Sequence, residues 1–105
     1  MMKVTNAFSL NMLASLTGSV TFREMSLEEA RKLLEGGLES SVGHADTAAV
    51  YADVLGMEIP AVRSTVSLQK GDTVVIGQYR GPRMPEGTKH LPEGATIQWV
   101  LLTVG

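Results

Sequence analysis

Apolar residues recur along this chain at two different spacings, and the helical spacing marks two segments clearly. Ser26 and Glu29 have the spacing of an N-terminal capping box, and the apolar stripe that follows them stops at Gly36-Gly37. An alanine-rich segment, 45–55, has apolar residues on one side and is followed by Gly56. Both segments are therefore predicted to be helices.

The beginning of the chain predicts a short strand that leads into a third helix. Residues 3–8 have the composition of a strand, and 10–16 follow with helical spacing. Ser9 is suited to cap that helix and Gly18 to close its last turn.

Alternation with a period of two predicts the remaining strands. One contains Val20 and Phe22 on one face, and two more, 62–68 and 73–80, are separated by a turn and should form a hairpin. The last segment, 96–104, is mostly apolar and is expected to be central in the sheet. The elements predict an α/β fold with a mixed sheet of about five strands and about three packed helices.

Composition limits the class of protein. A chain of 105 residues with 44% hydrophobic content is expected to form one domain over 1–105. The chain contains no cysteine, no evident signal peptide and no apolar stretch of membrane-spanning length, so we expect a cytoplasmic protein without a membrane partner.

The charge distribution indicates the kind of ligand. The net charge of −2 is atypical of proteins that coat double-stranded nucleic acid. Between Arg63 and His90, however, five basic residues face only two acidic ones. A compact anion is the favoured partner, although each of these charges alone could be an ordinary surface residue.

Two polar stretches lie where predicted strands or loops lead into helices. Asn6, Ser9 and Asn11 occupy the first, at the carboxyl end of the first strand, where α/β sheets bind ligands. Each could equally be a turn or cap residue. Three of them within six positions favour a site.

The second stretch, 40–47, adds an imidazole to small polar residues at the start of the helix 45–55. The hydroxyl of Ser41 and the backbone of Gly43 can approach an anion at a helix N-terminus. His44 can donate a proton there, although a lone histidine is more often structural. Asp46 is interpreted as an ordinary acidic residue of the first helical turn.

Other chemistries find little support in the sequence. His44 and His90 do not have a metal-ligand spacing, so no metal site and no cofactor are predicted. A Walker motif, a dinucleotide fingerprint and a nucleophile elbow are absent. The loop 81–94 contains three prolines and three glycines, which is typical of a functional lid.

Four segments together resemble the viral ring nucleases that act as anti-CRISPR proteins against type III systems, and their relatives in bacterial type III loci and prophages. In order, these segments are Asn6-Ala7-Phe8-Ser9-Leu10-Asn11-Met12-Leu13, Ser41-Val42-Gly43-His44 with Asp46-Thr47, Arg63, and Arg83-Met84-Pro85-Glu86-Gly87. The resemblance implies a homodimer that degrades cyclic tetraadenylate, the second messenger of those systems.

The resemblance also implies roles for individual residues. His44 matches the catalytic histidine, and Glu86 matches an acidic residue near the reacting phosphate. Arg83 matches a catalytic-support position, because it has the family spacing to Glu86-Gly87, although Arg80 is close by. The matches at binding positions are Asn6, Ser9, Asn11 and Arg63.

The implied reaction needs no metal, because the ribose 2′-OH can attack its adjacent phosphate. Arg83 would stabilise the phosphoryl charge, and His44 would protonate the departing 5′-oxygen. Glu86 could orient the 2′-OH, accept its proton, or only form a salt bridge. Two alternatives stay open: a module that binds a cyclic nucleotide without cleaving it, and a small interaction protein whose polar motifs are caps and turns.

Overall fold

A five-stranded mixed sheet is the central feature of the computed structural model, which describes residues 2–105. The strands are β1 (Met2–Thr5), β2 (Val20–Met25), β3 (Leu38–Ser40), β4 (Thr73–Arg80) and β5 (Thr96–Val104), in the order β2-β5-β4-β1-β3. β1 is parallel to β3 and β4, whereas β5 is antiparallel to β2 and β4. The predicted α/β class is confirmed, and β5 lies between two strands.

Two α-helices of the described chain, α1 (Leu27–Glu35) and α2 (Ala45–Leu55), lie where the sequence predicts them. The Ser26 hydroxyl accepts a hydrogen bond of 3.1 Å from the Glu29 N–H at the start of α1. Gly56 ends α2 with φ of 71°, a left-handed conformation that favours glycine. Neither helix, nor any other in the described residues, is long and apolar enough to cross a membrane.

The third predicted helix, 10–16, is wrong in extent. Only a single 3-10 turn forms, Leu10–Met12, and within the described chain the Ser9 side chain caps no backbone N–H. The reason is competition for backbone groups. Leu68 donates to the Met12 carbonyl at 2.7 Å and accepts from the Ala14 N–H at 2.9 Å, which an α-helix would need internally.

The predicted hairpin of 62–68 with 73–80 is also wrong. β4 pairs with β1 on one side and β5 on the other, so neither of its edges is left for 62–68. That segment instead runs as irregular backbone, and of its described residues only Leu68 forms an isolated bridge, to Leu13. β3 takes the place of 62–68 among the five strands. It is only three residues long, and the sequence pattern does not predict it. The predicted strand 3–8 ends at Thr5.

The core has two parts, one on each face of the sheet. On one face α1 and α2 bury a cluster that includes Tyr51 and Trp99, whose ring centroids are 5.3 Å apart. The Tyr51 hydroxyl donates to the Gly77 carbonyl, and burial raises the pKa of this phenol above its usual 10.0. The other face is covered by loops that contact Ile76 and Leu102, and Phe22 remains 60% exposed there.

Candidate functional site

The three parallel strands have their carboxyl ends on the same side of the sheet, and β4 continues four residues beyond its pairing with the end of β1. The pairing of Thr5 with Ile76 and of Val4 with Ser40 puts β1, β3 and β4 in register with their ends on the same side. Asn6 follows β1 and Ser41 follows β3, and the loop 81–94 begins after β4. Two of the polar segments singled out in the sequence therefore start together at the ends of β1 and β3, and the loop 81–94 starts on the same side of the sheet, further along β4.

Ser41 is attached to the end of β1. Its N–H donates to the Val4 carbonyl at 2.9 Å, and its carbonyl accepts from the Thr5 hydroxyl at 3.5 Å. Its own hydroxyl lies 3.2 Å from the hydroxyl of Ser64. The segment between β3 and α2 is thus held to the strand that carries Asn6.

Gly43 and Arg63 are neighbours, as a shared anion site would require. The Arg63 Nε–H donates to the Gly43 carbonyl at 3.4 Å. A Cβ at position 43 would lie 3.4 Å from the Arg63 Cγ, so a larger residue would push against this side chain. Arg63 is exposed, and the rest of its guanidinium remains accessible to solvent and to an anion.

His44 is the N-cap residue of α2. Its Nδ1 accepts a hydrogen bond of 3.3 Å from the Asp46 N–H. Because Nδ1 is the acceptor, the hydrogen-bond pattern assigns the ring proton of the neutral imidazole to Nε2. The side chain is exposed, so Nε2–H is available to donate to a ligand at the helix N-terminus.

The loop 81–94 reaches the same helix end through a tight turn. The Thr88 N–H donates to the Pro85 carbonyl at 3.1 Å, and Gly87 adopts φ of 84° inside this turn. The Gly87 N–H then donates to the Asp46 Oδ1 at 3.2 Å. The backbone of the turn that contains Glu86 is therefore held at the first turn of α2, although Gly87 and Asp46 are 41 positions apart in sequence.

The two alternative arginines have different environments. Arg80 belongs to β4, and its Nε–H donates to the Gln98 Oε1 at 2.6 Å on the sheet. Arg83 lies in the loop, is exposed, and within residues 2–105 forms neither a salt bridge nor a side-chain hydrogen bond. Arg83 is therefore the arginine that can turn towards a ligand without breaking a contact.

Asn6 lines a cavity of about 330 Å³ on the sheet face opposite the helices, together with Phe8, Phe22 and Gln78. The sequence pattern does not single out Gln78 as a site residue. Its signal in the sequence is one polar residue after the run 74–77 of β4, which the structure shows to be buried. Ser9 and Asn11 lie further along the chain than Asn6, and both are exposed. No hydrogen bond of the described chain joins them to His44 or to the residues beside it.

A larger groove of about 610 Å³ lies between the segment 10–20 and the end of β5. Its walls are mostly apolar, and it is not the place where the polar candidates meet. Within residues 2–105, no cluster of three His, Asp or Glu side chains could hold a metal ion. The polar candidates that do meet lie between the end of β3 and the N-terminus of α2, where amides, hydroxyls, the imidazole of His44 and the guanidinium of Arg63 can receive an anion.

Comparison with known proteins finds that this chain is similar to viral proteins. A family model described as STIV B116-like matches residues 2–96, which include all of the candidate site residues. "Uncharacterized protein 26" of Sulfolobus islandicus filamentous virus (isolate Iceland/Hveragerdi) is 30% identical over 76 residues, which are 71% of this chain and 64% of that relative. The alignment thus spans less than two thirds of the relative's length.

A solved structure shares the fold. B116 of Sulfolobus turreted icosahedral virus (STIV) superposes with a TM-score of 0.81 and 25% sequence identity, covering 97% of this chain and 97% of that one. The five-stranded α/β arrangement described above is therefore one that a viral protein is known to adopt.

Proposed function

Since the chain belongs to the STIV B116-like family, we propose that it acts on a cyclic oligoadenylate, as its resemblance to viral ring nucleases implies. In this proposal it binds cyclic tetraadenylate and cleaves it, without a metal ion or cofactor, to linear oligoadenylates that end in a 2′,3′-cyclic phosphate. The cleavage would suppress type III CRISPR signalling, and the protein would work in the cytoplasm of the host cell.

The observation that carries the proposal is the meeting of two distant segments at the N-terminus of α2. His44 caps this helix, and the Gly87 N–H is bonded to the carboxylate of Asp46, two residues further along in the first turn. A phosphate at this end would meet backbone amides and the Nε2–H of His44, with Glu86 close by. This is the set of groups that a transfer of phosphate between ribose oxygens requires.

The proposed reaction is an internal displacement. The ribose 2′-oxygen forms a bond to the adjacent phosphorus and gives its proton to Glu86, and the bond from phosphorus to the 5′-oxygen breaks. His44 protonates the departing 5′-oxygen. Arg83 stabilises the negative charge that accumulates on the phosphoryl oxygens. The products are a 2′,3′-cyclic phosphate and a free 5′-hydroxyl.

The cap at His44 places a condition on this mechanism. An imidazole that acts as a general acid must first be an imidazolium, in which Nδ1 also carries a proton. Nδ1 then cannot accept from the Asp46 N–H, so the ring must turn away from the cap before it donates. The capped, neutral ring can instead only donate a hydrogen bond from Nε2.

That same cap favours a second candidate, a module that binds the cyclic nucleotide without cleaving it. In such a module His44 stays neutral and is a phosphate ligand together with Ser41, Gly43 and Arg63. Either function is proposed to use a homodimer, since a ring with two-fold symmetry can occupy two equivalent half-sites across a two-fold axis.

Incubation of the purified protein with labelled cyclic tetraadenylate in excess EDTA tests both candidates. The nuclease predicts linear products, whose 2′,3′-cyclic phosphate and 5′-hydroxyl termini are read by mass spectrometry. Rings of other sizes serve as controls for substrate choice. Retention of an intact ring supports the binding module, and a protein that neither binds nor cleaves any ring refutes the proposal. A 5′-phosphate product, or activity restored only by a divalent ion, refutes the attack by the 2′-OH.

A further inference from the structure

Asp46 touches both halves of the candidate site. Its backbone N–H donates to the His44 Nδ1 at 3.3 Å, and its carboxylate Oδ1 accepts from the Gly87 N–H at 3.2 Å. One residue therefore contacts both the imidazole and the turn that contains Glu86. The sequence alone assigns this residue only the ordinary role of an acid in the first turn of a helix.

We propose that Asp46 is a positioning residue that holds the turn of the loop 81–94 at the N-terminus of α2 and so sets the position of Glu86 relative to a phosphate bound at that end. This inference rests on the proposed function, because it assigns Glu86 and His44 to one reaction. In the neutral ring, the backbone N–H of Asp46 fixes the tautomer that carries the proton on Nε2, and this bond is released when the ring turns to act as the acid. The carboxylate fixes the turn.

The bond between the Gly87 N–H and the Asp46 carboxylate connects the loop 81–94 to α2, and we call such a contact a tether. This tether lies next to Glu86 in the chain. A carboxylate that accepts from a backbone N–H forms a charge-assisted hydrogen bond, which is stronger than a neutral one. Gly87 holds φ of 84° in the turn, a conformation that other residues rarely adopt. The bond therefore stabilises a turn geometry that differs from the backbone of helices and strands. The loop around this turn contains three prolines and three glycines.

A second tether lies further along α2. The His90 Nδ1 is 3.1 Å from the Asp53 Oδ2, with side-chain exposures of 80% and 47%. Asp46 and Asp53 are seven positions apart, so they lie on the same face of the helix, about 10 Å from each other. The three residues from Gly87 to His90 span the same length when extended. Gly87 can therefore contact Asp46 while His90 contacts Asp53. The exposed pair with His90 is the weaker tether.

Three variants separate these contacts. Asp46→Ala removes the carboxylate but keeps the N–H that bonds to the imidazole, whereas Asp46→Asn retains an oxygen acceptor for Gly87. Asp53→Ala is the matched control, because it removes an aspartate from the same helix that also contacts the same loop. Thermal melts establish that each variant is folded.

Two readouts are compared. Hydrogen exchange of the Gly87 amide, measured by NMR on the protein without ligand, reports the tether directly. Single-turnover cleavage of cyclic tetraadenylate and its dissociation constant report the consequence for the site. Asp46→Ala is expected to speed the exchange at Gly87 and to lower the cleavage rate by about 10- to 100-fold, because the reacting groups lose their geometry. The dissociation constant should change much less.

Asp46→Asn should restore the protection of Gly87 and most of the rate, and Asp53→Ala should leave both close to the parent. Unchanged Gly87 exchange in Asp46→Ala overturns the inference, as does an equal loss of rate in Asp53→Ala. A parent protein that cleaves no ring refutes the proposed nuclease activity instead. In that case the exchange of the Gly87 amide still decides whether Asp46 holds the loop.

Discussion

Replacement of His44 by asparagine separates the two roles that the structure gives this residue. His44 caps α2 through its Nδ1, and the proposed mechanism also makes it the proton donor to the 5′-oxygen. Asparagine is among the best N-cap residues but has no titratable ring. His44→Asn therefore keeps the cap and removes the acid, while His44→Ala removes both.

The free energy that the His44 cap contributes to stability can be estimated from its geometry. The hydrogen bond from the Asp46 N–H is 3.3 Å long and exposed, so its loss in His44→Ala should cost about 0.5 to 1 kcal/mol, in the lower part of the range for N-caps. In a domain of this size that lowers Tm by a few degrees, at about 4 to 8 °C per kcal/mol. His44→Asn should melt at or above the parental temperature.

The catalytic effect should be the same in both variants. A positioned proton donor contributes about 10² to 10⁴-fold, so each variant should cleave cyclic tetraadenylate slower by that factor. Ring binding should be largely retained. The assay combines single-turnover cleavage in EDTA with thermal melts of the same samples. If His44→Asn cleaves at the parental rate, His44 is not the acid, and a loss confined to His44→Ala would indicate that the histidine acts only as a cap.

Three further predictions concern other parts of the molecule. Arg83→Ala should weaken both ring binding and cleavage more than Arg80→Ala, because Arg80 is already bonded to the sheet, and equilibrium binding with single-turnover rates would show a reversed order if the loop is misassigned. Gly77→Ala should lower the free energy of unfolding in urea by about 1 to 3 kcal/mol, because a Cβ there lies 2.7 Å from two aromatic rings, whereas Gly36→Ala, with no heavy atom of the described chain within 4 Å, should cost little or nothing. Burial raises the pKa of Tyr51, so the native state keeps the phenol proton that the unfolded state releases above about pH 10; stability should fall as pH rises through that range, and urea titrations of Tyr51→Phe should show a flatter decline.

The two helices could be predicted from the sequence because their determinants are local. The N-cap Ser26 and the glycine at position 56 act within one or two turns of the residues they affect. The same local chemistry placed His44 at the start of α2. A helix makes its backbone hydrogen bonds inside its own segment, so neighbouring residues carry most of the information.

Which segments form the strands of the sheet could not be predicted from local sequence in the same way. The segments 62–68 and 38–40 compete for strand positions, and the alternating composition of the first favours it. The structure nevertheless pairs β1 with Leu38–Ser40 and gives both edges of β4 to β1 and β5. A strand is stabilised by partners that are distant in sequence, and a segment cannot show by itself whether an edge is free for it.

The sequence by itself determined the chemical types at the candidate site: an imidazole after a glycine, arginines in the second half of the chain, and a loop rich in proline and glycine. Only the tertiary structure decided which of them meet. The bond between Asp46 and Gly87 joins residues 41 positions apart, and the bond of Arg80 to its partner on β5 shows that this arginine, unlike Arg83, is already engaged. Contacts of this kind depend on how the strands and loops pack in three dimensions, and no local pattern of residue types encodes that packing.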